Sequence, residues 1–90
     1  MATGFAGSTL ADELNRLANS GTYPALTAYK GFNSAANAYA GTTNDSMIGA
    51  LNKAAGITNP SQYLGLNAVC NKLAGTTNYS AVSALRSISL

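Results

Sequence analysis

Apolar residues fall at helical spacing along most of this chain, and the polar residues between them carry the signals that start and stop helices. Leu10, Leu14 and Leu17 form one stripe. Thr9 precedes it as the expected N-cap, with Asp12 at the third helical position in the manner of a capping box. Two short helices are predicted to open at Pro24 and Pro60, where the missing N–H costs nothing, and to close at Gly31 and Gly65. Asn59 and Gln62 have the spacing of a cap and its reciprocal partner. Longer stripes follow at Phe32, Ala35, Ala36 and Tyr39, and at Leu66, Val69, Cys70 and Leu73. These end at Gly41 and Gly75, the expected left-handed C-caps. Asn44 and Asn78 are then positioned to cap helices burying Met47, Ile48, Leu51 and Ala55, or Ala81, Val82, Leu85 and Ile88. The reading is all-α: a compact bundle of about seven short helices, loops of two to five residues and almost no strand.

The pattern occurs twice. Residues 29–55 slide by 34 positions, without a gap, onto residues 63–89, with twelve of 27 pairs identical. The shared residues are structural types, including Gly31/Gly65, Asn37/Asn71, Ser46/Ser80 and the run AGTTN at 40–44 and 74–78. The segment LNRLANSGT in the first helix is a partial third copy. Two and a half units are few for an open solenoid, so they are expected to fold onto each other as a pseudo-symmetric bundle. Residues 1–8 read as an N-terminal arm; residues 9–90 read as a single domain with repeat units at about 22–56 and 57–90.

One polar residue recurs inside the apolar pattern. Asn15, Asn37, Asn52 and Asn71 share a context of small or apolar neighbours, and the last three stand four residues before a Gly. Asn is a mediocre helix former because its side chain competes for backbone hydrogen bonds. Each carboxamide is therefore expected to reach loop backbone or a neighbouring helix; the alternative is a solvent-facing Asn with no partner.

Composition narrows the function. Only 9% of residues are charged, about a third of the usual share, and the net charge is +2. Five scattered cations cannot build a phosphate-tracking surface, so nucleic acid is not an expected partner. Ten Asn, nine Ser and nine Thr solvate the surface without strong repulsion between copies, which suits high local density. No stretch approaches a membrane span, and MATGFAGST lacks the start of a secretory signal. The single cysteine, Cys70, has no disulfide partner and reads as a small buried hydrophobe.

Reaction chemistry is not legible. His is absent, and three acids and one Cys are too few for a zinc site or a calcium cage. Asp12 and Glu13 point about 100 degrees apart on a helix, so they do not make an acid/base pair. No catalytic, cofactor or metal residue is assigned, no cofactor is expected, and the chain reads as a non-enzyme. Contact candidates are Phe5 in the arm, Tyr23 and Tyr79, which the repeat does not match, and Leu90; Tyr29 and Tyr63 are duplicate positions expected to pack within their units.

Taken together, LADELNRLA, AANAYAGTT, IGALNKAAG, YLGLNAVCNKLAGTT and AVSALRSI resemble a small all-helical module encoded among the virion genes of tailed bacteriophages that infect actinobacteria. In that group, variants of LADELNRLAG, AANxxAGTTG and GALNxxAG follow one another in the same order. The resemblance covers roughly residues 9–88 and departs where AGTTN replaces AGTTG, in both copies. It implies a virion structural component with no catalytic residue to carry over: a multi-copy capsid-decoration or minor capsid protein made in the bacterial host cytoplasm. Its implied partners are the major capsid protein or tail subunits and copies of itself. A minor tail or tail-tip protein binding host envelope or carbohydrate, and a soluble partner-binding module, are the alternatives.

Overall fold

In a computed structural model of the chain, residues 9–18 and 29–88 are described, and the expectations for Phe5, Tyr23, the Pro24 helix and Leu90 lie outside them. The described residues form five α-helices and no strand: α1 (Leu10–Ala18), α2 (Phe32–Ala40), α3 (Met47–Ala54), α4 (Leu66–Ala74) and α5 (Ala81–Arg86). The apolar stripes close into one core, in which Leu14, Leu51, Leu85, Val69 and Cys70 are fully buried among Ala35, Ala36, Ala50 and Ala84. Only three of those side chains are leucines, so the helices meet largely through alanine and can approach closely. Phe32, Tyr39, Met47, Leu66 and Leu73 pack as a half-buried margin.

Packing follows chain order and then closes on itself. α1 lies against α2, α2 against α3, α3 against α4 and α4 against α5, while α1 also meets α5. That last contact is ionic as well as apolar. Glu13 sits on the same face as Leu10, Leu14 and Leu17 and is only 1% exposed. Its carboxylate lies 2.9 Å from Arg16 Nε and 3.6 Å from Arg86 Nε. Arg16 also donates to the carbonyls of Leu85 (2.8 Å), in the last turn of α5, and of Ile88 (3.2 Å), just beyond it. Placing a cation against the negative end of α5 adds a favourable dipole interaction.

The Pro60 segment differs from expectation. Residues Pro60–Gln62 make a single 3-10 turn rather than an α-helix, with Asn59 Oδ1 accepting from Ser61 N (3.0 Å) and not from Gln62. The turn cannot lengthen because Leu64 N donates to Asn52 Oδ1 (2.7 Å) and the Leu64 carbonyl accepts from Asn52 Nδ2 (3.1 Å). Both backbone groups needed for helix continuation are thereby engaged. Gly31 and Gly65, expected to close the preceding helices, instead stand in extended conformation as the N-caps of α2 and α4.

Gly49 lies three residues after the N-cap of α3, where an added Cβ would meet Ser46 Oγ at 3.2 Å and the Tyr63 ring at 3.6 Å. The corresponding place in α5 holds Ser83, whose N–H still reaches its cap Ser80 Oγ at 3.2 Å, against 3.0 Å from Gly49 to Ser46. A Cβ is thus accommodated by a small lengthening of the cap bond. Gly49→Ala is expected to raise stability by about 0.5–1 kcal/mol through helix propensity, read as a higher urea midpoint; a lower midpoint would show that the Ser46 cap is lost.

Candidate functional site

The four recurring asparagines are buried, and each clasps the backbone of one residue that lies between its own helix and the next α-helix. Asn37 Oδ1 accepts from Asp45 N (3.0 Å) while its Nδ2 donates to Asp45 O (2.9 Å). Asn71 treats Tyr79 in the same way, at 3.1 and 2.8 Å. Asn15 pairs with Lys30 at 2.9 and 2.8 Å, and Asn52 with Leu64 as above. The second hydrogen of every Nδ2 returns to the helix, on Ala11, Asn33, Ile48 or Asn67 carbonyls at 2.7–2.9 Å. Thr42 and Thr76 hydroxyls add a further donor to Asn37 and Asn71, which fills both amide hydrogens and both oxygen lone pairs. No other side chain fits: Ser is too short, Gln too long by a methylene, and Asp has no donor.

The expected caps divide. Thr9 Oγ1 accepts from Asp12 N at 3.1 Å, which places it as a cap of α1. Gly41 and Gly75 close α2 and α4 in the left-handed conformation, at φ 77° and 72°. Asn44 and Asn78 do not cap. Ser46 and Ser80, one residue before each helix, accept the bonds from Gly49 N and Ser83 N. Both asparagines are exposed in the preceding loop, and Asn78 sits at φ 62°, a conformation Asn tolerates better than other side chains. A serine pair shared by both copies immediately before Met47 and Ala81 was the available signal. Glu13 was also missed as a buried group, although its spacing from Leu10 and Leu17 puts it in the apolar stripe.

Among the described residues two tyrosines are exposed. Tyr29 is 48% exposed rather than packed within its unit, because its hydroxyl donates to Asp12 at the edge of α1. That bond lowers the Asp12 pKa and raises that of Tyr29. Tyr63 is half-buried over Gly49. Tyr79 is 46% exposed beside an open concavity of about 640 Å³ that Asn67, Lys72, Thr77 and Asn78 also line. Among the described residues no group of acids and cysteine could hold a metal, and no helix is long and apolar enough to cross a membrane. Cys70 is fully buried, and desolvation pushes its thiol up to about 11.

Asn52→Asp is expected to destabilise by about 2–4 kcal/mol at neutral pH, because a carboxylate would face the Ile48 and Leu64 carbonyls in place of a donor. Its folded pKa would lie above the unfolded value of about 3.9, so the deficit shrinks as pH falls through the folded pKa. Urea titrations at pH 7 and pH 4 check this; equal deficits would contradict it. Native Cys70 is expected to resist a disulfide-exchange reagent such as DTNB at pH 8 and to react once the chain is unfolded. Rapid reaction under native conditions would show that the core opens around it. Comparison with protein-family models, with characterised proteins and with solved structures found no match for this chain.

Proposed function

We propose that the chain is a non-enzymatic structural protein of a bacteriophage virion, a small multi-copy capsid-decoration or minor capsid protein. The observation that carries this reading is where the polar chemistry goes. Among the described residues the buried polar side chains, Glu13 and the four asparagines, all bond to the chain's own backbone or to its arginines. Asp45, half-buried, ion-pairs with Lys53 at 2.8 Å. Cys70, the chain's single thiol, is buried and held neutral by desolvation. The described residues turn outward Asn, Ser and Thr, a few cations and two tyrosine rings, a surface of low charge suited to packing many copies against a particle.

On this reading the 34-residue repeat is a duplication. Its two halves share a glycine N-cap, a left-handed glycine C-cap, an Asn clasp and a serine cap in the same order. The motif order shared with phage virion modules supplies the setting: assembly in the host cytoplasm, contact with the major capsid protein or tail subunits, and contact with sister copies. The arm with Phe5, together with one neutral helical face, supplies the contact.

Mass spectrometry of purified particles is expected to detect the chain at a stoichiometry matching a ring or lattice of sites, with corresponding density in a particle reconstruction. Absence from the particles would reject the virion reading as a class.

A further inference from the structure

The loops after α2 and α4 share the frame AGTTN-x-S and the same Asn clasp, but differ at the clasped residue. In the first loop it is Asp45, ion-paired with Lys53 of α3 at 2.8 Å. In the second, Tyr79 takes the place of Asp45, Ser87 that of Lys53, and Lys72 that of Ala38. The internal ion pair is gone, and a tyrosine ring and an ammonium stand beside an open concavity instead. Tyr79 is not a loose loop residue: its N–H and carbonyl are both held by Asn71. A backbone fixed in this way presents the ring at little entropic cost on binding.

The groups around that ring define the ligand. Asn67 Oδ1 accepts from Ala81 N at 3.0 Å, while its amide hydrogens have no partner among the described residues. The Asn78 carboxamide and Thr77 hydroxyl also lack one there and line the same concavity. An aromatic face beside amides and a hydroxyl matches a sugar ring, whose C–H face is apolar and whose edge is hydroxylated. One cation is too few for nucleic acid, and a peptide would need a sheet edge or an apolar groove, neither of which borders this concavity.

We propose that the concavity beside α4 is a saccharide-binding site, with Tyr79 stacking on a sugar face, Asn67, Thr77 and Asn78 bonding its hydroxyls, and Lys72 favouring an acidic sugar. This goes beyond the virion role and does not depend on it.

The test is titration of the isotope-labelled full chain with cellohexaose, chitotetraose and an oligogalacturonate, followed by amide chemical shifts. The expected result is saturable shifts confined to residues 67–72 and 76–79, with the matching first-copy loop at 42–45 unmoved. Tyr79→Ala should weaken binding about tenfold with the rest of the spectrum unchanged, Tyr79→Phe should retain it, and Lys72→Gln should weaken only the oligogalacturonate. No shifts in this region with any of the three sugars, or shifts unaltered by Tyr79→Ala, would overturn the proposal. Because the readout uses the isolated chain, sugar binding and presence in particles can fail independently.

Discussion

The fold depends on a side-chain amide standing in for a peptide group. Each buried asparagine offers an N–H and a C=O in the geometry of a backbone unit and pairs with the N–H and C=O of a single loop residue. A chain segment running along the edge of the core is thereby held by paired backbone bonds, as in a sheet ladder. This explains how a chain with three fully buried leucines among its described residues and little charge can order connections as long as that between Asn52 and Leu64. The energetic weight is asymmetric, since losing one carboxamide leaves several buried groups unpaired at once.

A second interaction turns the serial helix pairs into a closed circuit. Glu13 and Arg16 lie on α1, and their partners lie about 70 residues on, at Leu85, Arg86 and Ile88. Burying a carboxylate is costly unless it is paired, and here two guanidiniums supply the pairing while Arg16 also completes the end of α5. The asparagine clasps are local and repeated, whereas this cluster is long-range and occurs once. Together they satisfy the buried polar side chains of the described residues from within the chain.

The two halves also show how one scaffold can serve different ends. The clasp fixes the backbone at residues 45 and 79 alike, so the side chain there can vary without disturbing the loop. In the first copy that freedom goes to an ion pair with Lys53, whose pKa is raised by the hydrogen bond it donates to Asp45. In the second it goes to an exposed ring. Local rigidity with a variable side chain is what a binding surface requires.

Sequence alone determined the all-helical class, the apolar stripes, the glycine C-caps and the position of each recurring asparagine, because these follow from spacing and from backbone preferences that act within a few residues. It pointed to Asn44 and Asn78 as caps where Ser46 and Ser80 do the capping, since Asn and Ser are near-equal cap formers and only the chain path selects between them. It made Pro60 the start of an α-helix, since the pairing of Leu64 with Asn52 is not written in the segment itself. The burial of Glu13 against the end of α5 and the exposure of Tyr79 beside a concavity were decided by tertiary structure alone. Both depend on which groups from distant segments arrive at one place, and a periodic pattern in one dimension does not specify that.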